Sequence, residues 1–167
     1  MDKTNYCNKD VFSDAVMEIR DSMFHVSYAI LGNKADCEDA VQETILKAYE
    51  KICQLKKPEM FRAWIIRILK NECFMIVRKN KRLITVDTVQ SNIEEQEIPD
   101  IELNRALRSL KPEFRLTLTL FYVNGYKIHE IGYIMQVSEG TVKSRLSRGR
   151  QILREQLNEE INNELLC

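Results

Sequence analysis

Hydrophobic residues recur every three or four positions along most of the chain, and this is the period of an α-helix. Between residues 10 and 31 the apolar positions are Val11, Ala15, Ile19, Met23, Val26 and Ile30. Gly32 ends this pattern, and Asp36 is suited to cap the next predicted helix, which covers residues 37–53. A third helical pattern covers residues 60–82, so the first half of the chain is predicted to be a helical bundle.

The helical pattern is interrupted by an acidic segment at residues 83–100. This segment holds five acidic residues and no basic ones, and it lacks a long helical period. Helical patterning resumes at Ile101, and Pro112 suits the first turn of a further helix. We therefore expect an all-α fold with two small helical domains, residues 1–82 and 101–167, joined by a flexible acidic linker at 83–100.

Positive charge is concentrated near the C-terminus. Residues 143–154 carry five basic residues and no acidic ones, although the whole chain has 25 of each sign. On a helical wheel the inward stripe consists of Val142, Leu146, Gly149 and Leu153. The opposite side consists of Ser144, Ser147, Arg148 and Gln151, with Lys143 and Arg154 at its border. Such a side can approach DNA closely and read base edges or hold phosphates, while Gly149 permits close contact with a neighbouring helix.

The basic helix follows a second apolar helical pattern at residues 128–135. Residues 136–138 form a short predicted turn between the two, and Ser138 is placed to cap the basic helix. This order of elements is typical of a helix-turn-helix, whose second helix enters the major groove of DNA. The alternative is a plain helical hairpin with a solvated basic face.

A second basic patch lies at residues 62–82, which hold seven basic residues and one acidic residue. The wheel places cations, an amide and an aromatic ring on the outer side of this helix: Arg67, Lys70, Asn71, Phe74 and Arg78. This mixture suits single-stranded or melted nucleic acid, which needs stacking, base-edge contacts and phosphate contacts. The alternative is that Phe74 packs under a second helix and the cations form an ordinary rim. Glu72 falls on the predicted core side, so we expect a bend or a shifted packing face there.

Other residues argue against several further classes of protein. The five cysteines are odd in number and contain no CxxC pair, so we expect reduced thiols, with neither a zinc site nor a disulfide framework. His25 and His129 lack partners that fit a catalytic site, so no enzyme and no cofactor is predicted. The sequence contains no apolar run near the roughly 20 residues of a membrane span and no signal-peptide core, which favours a cytosolic protein.

Two motifs then connect the chain to a family: EDAVQE at residues 38–43 and GTVKSRLSRGR at residues 140–150. With the stretches 30–52, 61–82, 107–135 and 137–154, they make the chain similar to the extracytoplasmic-function (ECF) sigma factors of the sigma-70 family. These factors direct bacterial RNA polymerase to promoters. The resemblance implies a region 2 domain, a flexible linker that runs toward the polymerase active-site channel, and a region 4 domain with the helix-turn-helix.

The resemblance also implies roles for the residues found above. Binding to the clamp helices of the largest polymerase subunit is carried over to Asp39, Gln42 and Glu43. Recognition and melting of the −10 element are carried over to Arg67, Lys70, Asn71, Phe74 and Arg78, with the loop 55–60 near a flipped base. Reading of the −35 element is carried over to Thr141, Lys143, Ser144, Arg145, Ser147 and Arg148.

The implied partners are core RNA polymerase, bound through its clamp helices and flap, promoter DNA, and an anti-sigma factor. In this family the anti-sigma factor is often membrane-anchored and the regulated genes often serve a stress response. Two positions depart from the family pattern: Met75 stands where an acidic or amide residue is usual, and Cys37 stands where alanine is usual. Met75 bears on the base preference at −10. The alternative class is a dimeric helix-turn-helix regulator that binds operator DNA without polymerase.

Overall fold

The computed structural model describes residues 6–84 and 106–165, and within these ranges the protein is all-α, without any β-strand. The helices are α1 (Lys9–Glu18), α2 (Arg20–Leu31), α3 (Lys34–Lys51), α4 (Phe61–Ile84), α5 (Pro112–Leu118), α6 (Ile128–Met135) and α7 (Glu139–Leu165). Short 3-10 turns at Ile52–Gln54 and Pro58–Met60 precede α4, and a π-helical turn at Thr119–Val123 follows α5. The predicted all-α fold is confirmed. The linker predicted at 83–100 lies outside the described residues, except that residues 83 and 84 belong to α4.

The predicted helix over residues 10–31 is divided into two helices. The backbone leaves the helical path at Ile19, with φ −107° and ψ 6°, and α2 begins at the next residue. Ile19 is still buried, so a break of one residue leaves the spacing of apolar positions intact. Gly32 ends α2 in the left-handed conformation, as predicted. The expectation that Asp36 caps α3 is wrong, because Asn33 Oδ1 accepts the Asp36 N–H at 2.9 Å and is the cap.

Helices α1 to α4 form the N-terminal bundle, in which α4 packs against both α2 and α3. The centre of this bundle consists of buried apolar side chains: Phe12, Met23, Val26, Ala40, Ala48, Phe61, Ile65, Ile66 and Leu69. Each helix therefore buries one stripe and leaves its opposite side for other contacts.

Helices α5 to α7, with a helical turn at residues 106–109, form the C-terminal bundle, in which α7 packs on α5 and α6. Pro112 begins α5, where its missing N–H costs no hydrogen bond. Gly149 faces α5 so closely that a Cβ would lie 3.0 Å from Leu118 Cδ1. The predicted role of Gly149 in a close helix contact is thus confirmed.

The two bundles pack against each other, with α2 and α4 on one side and α5, the π-helical turn and α6 on the other. Asn124 Nδ2 donates to Ser22 Oγ at 2.8 Å, and Arg115 Nε donates to the Ala29 carbonyl at 2.6 Å. Burial, followed by the nearby charge of Arg108, lowers the pKa of Arg115. We call this packing the closed contact, and it places α6 over the first half of α4.

Candidate nucleic-acid interface

Helix α7 presents to solvent the polar side that the wheel predicts. Its inward residues Val142, Leu146 and Gly149 are buried. The outward candidates Lys143, Ser144, Ser147 and Arg148 are exposed, and Thr141 and Arg145 are half-buried at the edges of the same surface. Arg150 lies apart from them, because its guanidinium donates to the Tyr122 hydroxyl at 3.1 Å. The six candidates for the −35 element therefore share one continuous surface.

The turn between α6 and α7 fixes the direction of this surface. Gln136 adopts a left-handed φ of 58°, and the Val137 N–H donates to the Gly132 carbonyl at 3.1 Å. A Cβ at Gly132 would lie 3.0 Å from the Val137 carbonyl oxygen, so the turn depends on glycine there. Ser138 Oγ accepts the Thr141 N–H at 3.1 Å, which confirms the predicted cap. This tight connection is the one that a helix-turn-helix uses.

Helix α4 carries the candidates for the −10 element, which differ in their exposure to solvent. Asn71 and Arg78 are exposed, while Phe74 is half-buried against the core. Lys70 is instead buried and Arg67 half-buried where α6 packs on α4 in the closed contact. The wheel is right that Lys70 points away from the N-terminal bundle, but the C-terminal bundle covers it and leaves 7% exposed.

Two polar contacts hold these covered cations. The Arg67 guanidinium lies 4.8 Å from the centroid of the Tyr133 ring, and Lys70 Nζ donates to Gln136 Oε1 at 3.4 Å. Burial lowers the pKa of Lys70, and the charge of Arg67 lowers it further. Lys70 would regain water or gain a phosphate if α6 moved away from α4.

Glu72, on the inner side of α4, has an ion-pair partner. Lys47 Nζ lies 2.7 Å from Glu72 Oε2 and 3.2 Å from Glu43 Oε1. The hydrogen bond to Glu72 is the main cause that raises the pKa of Lys47. Helix α4 continues through this position, and the pair with Lys47 satisfies the buried carboxylate.

Helix α3 presents the candidates for polymerase binding. Asp39, Gln42 and Glu43 are exposed, and Gln42 also lines a groove of about 530 Å³ between α2 and α3. The same side carries two exposed apolar side chains, Leu46 at 63% and Tyr49 at 47%. The helical spacing of apolar residues within 37–53 groups Tyr49 with the residues predicted to face inward, although Tyr49 is exposed, and it leaves Leu46 outside that group. A wheel would have revealed Leu46 as an apolar residue on a polar side, which often marks a contact surface.

The described cysteines form two groups. Cys37 and Cys73 are buried free thiols, and burial raises the pKa of Cys73 to about 12. Cys7 and Cys53 are joined in a disulfide, so the expectation of reduced thiols is wrong for this pair. They stand 46 positions apart, and only the folded chain brings them together.

In the parts of the chain that the structure describes, no group of three or more His, Cys, Asp or Glu residues could hold a metal ion. Nor is any helix within residues 6–84 and 106–165 both long and apolar enough to cross a bilayer.

Comparison with known proteins shows the family. Residues 15–83 match Sigma-70 region 2, and residues 100–153 match Sigma-70, region 4. The chain is 31% identical to the ECF RNA polymerase sigma factor SigM of Bacillus subtilis, over 76% of this chain and 83% of that protein. It is 29% identical to SigW of the same organism, over 90% of each chain. The protein belongs to the ECF sigma factors of the sigma-70 family, which are transcription initiation factors and not enzymes.

A solved structure shows the same fold. The sigma factor RpoE of Bartonella quintana, determined in complex with the anti-sigma factor NepR, matches with a TM-score of 0.77 and 24% identity. The match covers 90% of this chain and 98% of that one. The family assignment favours the initiation factor over the dimeric operator-binding regulator, and sigma factors bind RNA polymerase and promoter DNA.

Proposed function

We propose that this sigma factor reads the −35 element through the outward surface of α7. The observation that carries the proposal is the division of α7 into a buried stripe and an exposed side where serines stand between cations. Ser144 and Ser147 let the helix approach the groove, and Lys143 and Arg148 reach guanine edges or phosphates. Thr141 and Arg145, at the edges, suit contacts with the DNA backbone.

We assign recognition and melting of the −10 element to α4. The exposed Asn71 amide suits a base edge, the half-buried Phe74 offers part of its ring for stacking, and Arg78 suits a phosphate. Arg67 and Lys70 complete this surface only after α6 has moved away. The free protein would therefore bind promoters poorly, and the polymerase would hold both bundles in a position where two weak contacts act together.

We assign the core polymerase contact to the exposed side of α3. Asp39, Gln42 and Glu43 supply polar contacts, while Leu46 and Tyr49 supply the apolar area that a stable interface needs at its centre. The partner surface is the clamp helices of the largest subunit, and the C-terminal bundle contacts the flap. In this proposal residues 1–82 are region 2, residues 83–100 are the linker, and residues 101–167 are region 4.

The family assignment supports a proposal for the regulatory setting. We propose that the protein works in the cytoplasm, where polymerase and promoter DNA are, and that an anti-sigma factor keeps it inactive until a stress signal arrives. The relative RpoE, described in complex with the anti-sigma factor NepR, supports such a partner. A membrane-anchored anti-sigma factor would hold the protein at the membrane without insertion of the sigma factor itself.

Run-off transcription with purified core polymerase tests the proposed function. Core enzyme alone should give no specific transcript, and added protein should give discrete start sites that share upstream −35 and −10 sequences. The Asn71→Ala protein should form less open complex, measured by permanganate footprinting, while duplex binding changes little. Tight dimeric DNA binding without polymerase, together with no transcript, would instead indicate an operator-binding regulator.

A further inference from the structure

The disulfide between Cys7 and Cys53 lies where small molecules in solution can reach it. Both cysteines are exposed, and their Cα atoms are 5.4 Å apart, within the roughly 4.4–6.8 Å that a disulfide normally spans. Cys37 and Cys73, in contrast, are buried, and burial raises the pKa of both thiols. An oxidant therefore has access to this pair and not to the two buried thiols.

The disulfide lies next to the loop 55–60, which leads into α4. Cys53 lies in the 3-10 turn directly before the loop, and Phe61 begins α4 directly after it. The ring of Tyr6 stacks on the ring of Phe61, with the centroids 4.4 Å apart and the planes 18° apart. The neighbouring residues Tyr6 and Cys7 thus hold both ends of the loop, one by stacking and the other by a covalent bond.

The start of α1 fixes the other end of this short segment. Asn8 is the N-cap of α1, and its side chain accepts the Asp10 N–H at 2.9 Å. Residues 6–8 therefore run from a capped helix to the two ends of the loop, with no room for a long flexible connection. Loss of the disulfide would leave Tyr6 held at Phe61 mainly by ring contact.

We propose that Cys7 and Cys53 form a reversible redox modification site that holds residues 6–8 across the ends of the loop 55–60 when oxidised. In a reducing compartment such an exposed disulfide acts as a transient switch and not as a constant structural bond. The consequence for promoters rests on the proposed function, together with the place near a flipped base that the family resemblance implies for the loop 55–60. A loop with fixed ends cannot spread to accept an unpaired base, so the oxidised protein melts the −10 element less well than the reduced protein.

The oxidant for this site is a low-molecular-weight disulfide. One cysteine thiolate attacks that disulfide, forms a mixed disulfide and releases one small thiol. The second cysteine thiolate then attacks the cysteine sulfur of the mixed disulfide and releases the second small thiol. Two electrons pass from the protein to the oxidant, the two cysteine protons end on its thiol products, and an excess of small thiol reverses both steps.

Redox titration of the full chain tests the chemistry. A Cys167→Ser background removes the terminal thiol, and the protein is equilibrated in mixtures of glutathione and glutathione disulfide, alkylated and analysed by peptide mass spectrometry. Cys7 and Cys53 should lose alkylation together in monomeric protein, and Cys37 and Cys73 should stay thiols that are alkylated only after unfolding. Separate glutathione adducts on Cys7 and Cys53, or full alkylation in every mixture, would overturn the proposal.

Tryptophan fluorescence tests the movement of residues 6–8. Trp64 is the single tryptophan of the chain, and the centroid of its ring lies 6.3 Å from the centroid of the Phe61 ring. Reduction should shift its emission to longer wavelength as Tyr6 leaves Phe61 and water enters. The Cys7→Ser protein should show the shifted emission in every mixture. A disulfide that forms without any change in Trp64 emission would contradict the proposal that the disulfide holds residues 6–8 in place.

Run-off transcription then tests the effect on promoters. Oxidised protein should give several-fold less transcript than reduced protein. The Cys7→Ser protein should be active, and its yield of transcript should be the same in every glutathione mixture. Equal activity of the two forms would contradict the regulatory role even if the disulfide forms. A protein inactive in both forms would refute the proposed function, while the titration and the fluorescence would still decide whether the redox site exists.

Discussion

Gly132 and Gly140 both lie within helices of the helix-turn-helix, but their surroundings differ. A Cβ at Gly132 would meet the Val137 carbonyl oxygen at 3.0 Å, and a backbone atom cannot rotate away. In the Gly132→Ala protein, overpacking should cost about 1–3 kcal/mol, and the better helix propensity of alanine should offset about 1 kcal/mol of that cost. The substitution should therefore lower the free energy of unfolding by about 1 kcal/mol. At Gly140 the nearest atom is Ser138 Oγ at 3.7 Å, so Gly140→Ala should be neutral or stabilising. Urea unfolding measures both, and equal shifts would contradict the assigned role of Gly132.

Lys70 gives a second prediction at the scale of one residue. Because burial lowers its pKa in the folded protein, the folded state binds fewer protons than the unfolded state near the ordinary value of 10.5. The free energy of unfolding should therefore rise with pH between the lowered pKa and 10.5, and the penalty from Lys70 should be fully present below that window. Lys70→Met should stabilise the free protein at neutral pH by about 1 kcal/mol, and this gain should vanish above pH 10.5.

The matched control for Lys70 is Lys79→Met, an exposed position on the same helix. Thermal unfolding of the two variants across pH separates a local effect of burial from the general loss of one charge. A gain of similar size at Lys79 would show that burial of Lys70 carries no cost in the closed contact.

At the scale of the element, α7 offers two arginines on different sides of one helix. Arg148 is exposed on the proposed DNA-reading surface, whereas Arg150 donates to the Tyr122 hydroxyl. Arg148→Ala should weaken promoter binding by the holoenzyme by about 1–3 kcal/mol if it contacts a base, with relaxed specificity at one −35 position. Arg150→Ala should change binding much less. Fluorescence titration with −35 base variants distinguishes the two substitutions. Equal losses of promoter affinity would mean that α7 attracts DNA only through its positive charge and does not read bases.

Helical elements and their buried sides could be predicted because apolar spacing reports them directly. The inward stripe of α7, the stop at Gly32 and the start of α5 at Pro112 all rest on local chemistry. The break at Ile19 could not be predicted, because one non-helical residue hardly disturbs the periodicity. Asn33 was missed as the cap of α3 because several polar residues near one another can take that position.

At the scale of the whole molecule, the sequence carries no local signal of contacts between distant segments. The covering of Arg67 and Lys70 by α6 depends on packing between residues more than 60 positions apart, and a helical wheel includes only one helix. The disulfide between Cys7 and Cys53 was missed for the same reason. The candidate surfaces on α3 and α7 could be predicted, since each lies within one helix, whereas the accessibility of the α4 surface depends on the closed contact.

Opening of the closed contact can be tested with a substitution away from every proposed binding surface. Ser22 is half-buried between the bundles, where its hydroxyl accepts from Asn124, so Ser22→Arg places a long charged side chain in that contact. Ser13→Arg, at an exposed position of α1, is the matched control. The Ser22→Arg protein should keep its helical circular dichroism but show a larger radius of gyration by small-angle X-ray scattering.

Opening should also expose Arg67 and Lys70 to nucleic acid in the absence of polymerase. If the closed state is the main state of the free protein, apparent affinity for single-stranded −10 DNA rises in proportion to the open fraction. Each ~1.4 kcal/mol by which Ser22→Arg weakens the contact should therefore raise that affinity about tenfold, until the open form predominates. Ser13→Arg should bind like the unaltered protein. A larger radius without tighter binding would mean that the closed contact does not limit access to α4, and Arg67 and Lys70 would then need another role.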